Sequence, residues 1–125
     1  MNFYFINPKK LNPIEAHSKE RVDWLKEKII SEGLWTQPIV VAKEHNLVMD
    51  GHHRLEVSLK LKLIKVPCFF YSYKKIRTYS LREEIEVNYE IIIDNFFKSK
   101  IFPYKTAKHV LPDTEFKPIS LKELK

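Results

Sequence analysis

Apolar and polar residues change their spacing several times along the chain, and each change predicts an element. Phe3-Tyr4-Phe5-Ile6 reads as a first strand, broken into a loop by Asn7-Pro8 and Asn12-Pro13. Val22, Leu25 and Ile29 then recur at helical spacing. Ser18 as cap and Gly33 as left-handed stop bound that helix to Lys19–Glu32. Pro38-Ile39-Val40-Val41-Ala42 is an uninterrupted apolar run, a buried strand, and Lys43-Glu44-His45-Asn46 turns it back onto Leu47 to Asp50. A helix from His52 keeps Leu55, Leu59 and Leu63 on one side, and Val66 to Tyr71 is another strand.

The second half is patterned less regularly. Lys74 to Tyr79 and Ile85-Glu86-Val87 are candidate strands, and Asn88 caps a helix through Ile91, Ile92 and Phe96 to about Lys98. Tyr104 to His109 is dense in hydrogen-bond donors and lies between two prolines, a loop pinned at both ends. Pro118-Ile119 with Leu121 and Leu124 suggests a short final helix. The whole is expected to be a small α/β (α+β) protein, a mixed sheet with packed helices. A single domain over 1–125 is expected, with residues 1–73 as core and 74–125 completing a site.

Composition narrows the class. With 44% hydrophobic and 30% charged residues, the 125-residue chain reads as globular and large enough for a real core. A single cysteine, Cys68, lies in an apolar segment, so no internal disulfide framework exists and a buried thiol in a reducing cytoplasm is expected. No apolar run is of membrane-spanning length and the N-terminus has no signal-peptide pattern. The net charge of +6 raises nucleic acid as a partner. However, the lysines are spread and alternate with acids, which favours a solvated surface or a basic cleft for a nucleotide and makes nucleic acid an unlikely partner.

Candidate chemistry gathers where Leu47-Val48-Met49 ends in Asp50-Gly51-His52-His53-Arg54. A helix beginning there leaves its first amides without partners, at the positive end of the peptide dipoles, and phosphate binds to such ends. Gly51 lets the backbone approach an anion, Arg54 adds a planar fork of donors, and His52 and His53 are further donors. Asp50 is placed to hold Mg²⁺ or accept a proton. The plainer reading is an ordinary strand-to-helix turn with polar capping residues. Adjacent histidines point about 100° apart on a helix, so a zinc site is not expected.

The Asp50 to Arg54 turn, the Gln37 to Val41 strand before it and Val66-Pro67 after it resemble the ParB/sulfiredoxin fold. The turn is most similar to that of the free L-serine kinase branch, as are an early glutamate, Glu15, and a late Phe102-Pro103-Tyr104-Lys105-Thr106-Ala107-Lys108-His109 segment. In the sulfiredoxin turn a catalytic cysteine stands where this chain has His52. The resemblance implies phosphoryl transfer from ATP or ADP, with Mg²⁺, to the hydroxyl of free L-serine, giving O-phosphoserine. It implies Glu15 as base, Asp50 assisting it or holding the metal, and Gly51, His52, His53 and Arg54 on the donor's phosphates. Lys105, Thr106, Lys108 and His109 would hold the serine carboxylate or the transferred phosphate. The alternative is a ParB-like nucleotide-binding regulatory or DNA-associated module without phosphoryl transfer. Lys62, where the pattern often has glycine, is expected in a left-handed cap, at a cost of up to about 1 kcal/mol.

Overall fold

The structure, a computed structural model, describes residues 3–125. Its strands are β1 (Tyr4–Ile6), β2 (Leu34–Trp35), β3 (Ile39–Ala42), β4 (Val48–Asp50), β5 (Val66–Tyr71), β6 (Arg77–Ser80), β7 (Ala107–Val110) and β8 (Ile119–Ser120). The helices are α1 (Lys19–Glu32), α2 (His52–Lys60) and α3 (Tyr89–Phe97).

Four strands form the central sheet in the order β1-β5-β3-β4, with β3 and β5 parallel and the outer pairs antiparallel. All four residues of β3 are buried, as in a strand covered on both faces. Ile39 and Val41 enter one apolar cluster with Val22, Ile29, Leu55 and Val57 of α1 and α2. Val40 and Ala42 enter the other, with Met49, Ile92 and Phe102. The period-2 alternation of one strand thus sorts its side chains between two layers.

α1 starts and stops where its capping residues predict. The Ser18 hydroxyl accepts from the Arg21 amide, and Gly33 ends the helix at φ 67°. Asn88 likewise accepts from the Ile91 amide, with Val87 before the cap and Ile92 in the first turn buried together as a hydrophobic staple. Cys68 is fully buried, and burial pushes its thiol up to about 12. Among the described residues no helix is long and apolar enough to cross a membrane.

Five local expectations fail. Lys74 to Ile76 form a turn, because the Glu44 carboxylate takes the Ser72 hydroxyl and the Tyr73 amide and ends β5 there. Ile85 to Val87 form no strand; Val87 serves the α3 staple instead. Residues 107–110 are not a loop but strand β7, paired antiparallel with β6 from Arg77 opposite Val110 to Ser80 opposite Ala107. The expected final helix is replaced by β8 paired with β2, followed by a 3₁₀ turn over Leu121–Leu124. Within α2, Leu59 is exposed while Val57 and Ser58 are buried; the helix ends at Lys60, and Leu63 reaches the core from beyond it.

Candidate active site

Gly51 carries the chain from β4 into α2 at φ 103°, a left-handed conformation that side chains rarely adopt. It is the helix N-cap and offers no side chain, so the first-turn amides of α2 are left for an outside acceptor. Beneath it lies Ile39, 3.4 Å from where a Cβ would stand. The turn opens into a cavity of about 670 Å³ walled by α1, the Asp50 to Arg54 turn and the segment around Tyr104 to Lys108.

Glu15 lines the same cavity. Its loop is fixed from both sides. Phe102 donates its amide to the Ile14 carbonyl (2.8 Å) and accepts from the Ala16 amide (2.9 Å), a short parallel bridge across Glu15. On the other side the Ile14 amide donates to His52 Nε2 and the Ser18 amide to His53 Nε2, both at 3.1 Å. The two histidines diverge around the helix, yet that divergence lets them grip two points of one loop. With Nε2 accepting, each neutral ring carries its proton on Nδ1. Burial holds the His52 imidazole down at about 3 and lowers His53 as well, which keeps both as acceptors at neutral pH.

The Glu15 carboxylate accepts the Lys105 amide on one oxygen (3.1 Å) and the Ala107 amide on the other (3.0 Å). Partial burial raises its pKa above the ordinary 4.5, against those amides and the nearby Arg82 charge, which lower it. Such a carboxylate is more basic than an exposed one. Arg82 also donates to the Tyr104 carbonyl at 2.6 Å and so pins the turn that faces Glu15. Tyr104 packs edge-on against the His53 ring, centroids 5.7 Å apart.

Five cations, Arg21, Lys28, Arg54, Lys105 and Lys108, line the cavity against two acids, Glu15 and Asp50. The cavity itself therefore carries a net positive balance. Arg54 is half-buried, with one terminal nitrogen 3.4 Å from the Thr36 hydroxyl and a buried Nε that has no acceptor. A buried guanidinium nitrogen without a partner is costly unless an anion completes it. Asp50 is exposed at the end of β4. Among the described residues no cluster of three or more metal-ligating side chains exists. The set fits a Mg²⁺ held by one carboxylate, with phosphate and water supplying the rest, rather than an all-protein cage.

Of the residues expected at the site, Glu15, Asp50, Gly51, His52, His53, Arg54, Lys105 and Lys108 come together on this cavity. Thr106 and His109 do not line it. Thr106 is buried with its hydroxyl on the Pro103 carbonyl (2.6 Å), and His109 is buried with Nε2 2.9 Å from the Tyr73 hydroxyl. The sequence reading missed the α1 wall, where Arg21, Trp24, Leu25 and Lys28 share one stripe. Trp24 is 61% exposed there, an outward aromatic on an otherwise polar helix face, and that was its available signal.

No protein-family model and no curated protein sequence matches the chain. Solved structures do. A free serine kinase in complex with AMP superposes at TM-score 0.85 with 16% identity, over 98% of this chain and 93% of that one. The chain has the fold of the free serine kinases. The same fold is shared with a conserved hypothetical protein from Pyrococcus furiosus (TM-score 0.87, 15% identity, 99% and 97% covered). SbnI from Staphylococcus aureus, solved with a C-terminal truncation, matches at TM-score 0.86 with 12% identity over 98% and 89%. The α/β architecture expected from the Asp50 to Arg54 turn is thus the one adopted, and at these identities the likeness speaks for the fold.

Proposed function

We propose that the protein is a small-molecule kinase that transfers a phosphoryl group from ATP or ADP to the hydroxyl of free L-serine. The observation that carries this reading is the sharing of one basic cavity by an anion-accepting helix end and a fixed, partly desolvated carboxylate. In this reading the donor's phosphates lie on the first-turn amides of α2, and Arg54 Nε gains the acceptor it lacks. The base lies along the α1 wall, against Trp24 and Leu25.

Glu15 takes the proton of the serine hydroxyl as its oxygen bonds to the terminal phosphorus. The bond from that phosphorus to the leaving nucleotide breaks, and the nucleotide departs with the electron pair. His52 and His53 keep Glu15 in place through the Ile14 and Ser18 amides, so they act on the base as well as beside the phosphates. Lys105 and Lys108 balance the serine carboxylate and the transferred group. Thr106 and His109 support the same segment from behind. Bound Mg²⁺, held by Asp50, would neutralise charge on the phosphates.

Incubation with L-serine, Mg²⁺ and either nucleotide should yield O-phosphoserine, read by mass spectrometry. Glu15→Ala should abolish the product while nucleotide binding persists. Undiminished turnover in that variant would remove Glu15 from the chemistry. Nucleotide binding without any turnover in the unaltered protein would point instead to a regulatory module.

A further inference from the structure

The turn that presents amides to Glu15 is held in a conformation its own sequence does not favour. Lys105 stands at φ 53°, in the left-handed region that a side chain as long as lysine seldom occupies. The Lys105 and Ala107 amides nevertheless meet the two carboxylate oxygens, and the Thr106 amide between them also favours the charged form. Amides converging in this way form an anion-binding nest, here closed on the chain's own carboxylate. Bonds on either side keep it closed. The Thr106 hydroxyl donates to the Pro103 carbonyl (2.6 Å), and the Leu81 amide donates to the Thr106 carbonyl (2.8 Å). Arg82 donates to the Tyr104 carbonyl, the residue just before the strained one (2.6 Å).

Arg82 reaches the turn from just beyond β6, where the Ser80 hydroxyl accepts the Arg82 amide and donates to the Arg82 carbonyl, folding the chain back after the strand. Nη2 makes the bond to Tyr104, while Nε is buried and has no acceptor. A guanidinium kept from water in this way carries a cost that an exposed one would not. Leu81 beside it lines the cavity, whereas Arg82 does not. Its reach to the chemistry therefore runs through the turn. We propose that Arg82 is a positioning residue for the base: its bond to the Tyr104 carbonyl keeps Lys105 left-handed and so keeps the amide nest closed on the Glu15 carboxylate. This rests on the kinase reading for the role of Glu15, while the hold on the carboxylate belongs to the fold alone. His52 and His53 fix the backbone of the Glu15 loop through Ile14 and Ser18, and Arg82 fixes the end of the side chain. Without it the turn relaxes, the amides rotate away and the carboxylate leaves its line to the acceptor hydroxyl.

The test reads the turn and the reaction separately, in Arg82→Met, which keeps an apolar stem and loses the donor. In the ligand-free protein, amide hydrogen exchange followed by NMR should be about ten-fold or more faster at Lys105 and Ala107, with the central sheet keeping its protection. With ATP, Mg²⁺ and L-serine the variant should lose about ten-fold or more in kcat and keep its ADP dissociation constant, because Arg82 does not line the cavity. Arg82→Lys, which returns a charged donor for the single bond to Tyr104, should recover most of both. Unchanged exchange at the two amides in Arg82→Met overturns the inference, as does a loss of protection that extends equally to the central sheet, or a kcat that holds after the turn has opened. If the unaltered protein phosphorylates no serine, the kinase reading fails, and exchange at Lys105 and Ala107 still decides whether Arg82 closes the turn on Glu15.

Discussion

Arg54 and Trp24 make the site testable one side chain at a time. The Arg54 guanidinium has a buried Nε with no acceptor, and its half-burial disfavours the charge, an effect that the nearby Asp50 offsets. An anion in the cavity would turn that cost into a charge-assisted hydrogen bond worth roughly 1.5–3 kcal/mol. Arg54→Lys keeps the charge and loses the fork, so ADP affinity should fall by about ten-fold or more in a calorimetric titration. The chain has two tryptophans, Trp35 fully buried and Trp24 on the cavity wall. Addition of ADP should therefore quench the Trp24 emission, and Trp24→Phe should remove the response while the Trp35 signal stays. A nucleotide that binds with no change in Trp24 emission would place the base elsewhere. The Asp50 to Arg54 turn was legible from sequence because its residues are contiguous and its chemistry is local. Trp24 was not, since nothing in a helix pattern says which exposed residue will face a cavity built by segments some eighty positions away.

Backbone strain decides two tests at the scale of elements. Gly51 joins β4 to α2 at φ 103°, with Ile39 backbone and side chain 3.4 Å from an added Cβ. Gly51→Ala should cost about 1–3 kcal/mol in urea unfolding and weaken nucleotide binding beyond that, because relieving the strain turns the first-turn amides of α2. Lys62, past the end of α2, stands at φ 54° as its place in the pattern predicts. Lys62→Gly should stabilise by up to about 1 kcal/mol and leave the chemistry alone. Elements with strong boundary signals were readable: α1 from Ser18 and Gly33, α3 from Asn88, β3 from its apolar run. β7 was not, because the residues it turns inward are the small Ala107 and the polar His109 rather than large aliphatics, and Lys108 and Val110 alternate with them on the exposed side. β2 and β8 are two residues each and exist through pairing with one another, which no local pattern announces.

Two neutral histidines, His109 buried and His52 partly so, tie the C-terminal segment and the N-terminal loop to the rest of the fold, and this sets the response of the whole molecule to acid. His109 on β7 joins Tyr73 beyond the end of β5, and His52 on α2 joins the Ile14 amide of the N-terminal loop, so each ties distant parts of the chain. Burial lowers His109 to about 4 and His52 to about 3 from the ordinary 6.5, with Lys108 adding to the first and neighbouring histidines to the second. Their neutral forms are favoured by folding, so the unfolded chain binds more protons below pH 6.5. The stabilisation is complete above that pH and is lost as pH falls towards 4 and then 3. Tm should therefore drop progressively from pH 6.5 to 4, at constant ionic strength. His109→Gln, which keeps a hydrogen-bonding side chain without an ionisable group, should flatten the slope between pH 6.5 and 4 whatever it does to the Tm at neutral pH. Activity should follow a separate course. In the proposed reaction Glu15 is the base and must be ionised, so the raised pKa of that carboxylate would place the acid limb of kcat/KM above 4.5. His109→Gln should leave the position of that limb in place, since His109 lies outside the cavity that holds the base. A limb that moved with the stability slope would show that acid acts on the proposed activity by loosening β7, not by protonating Glu15.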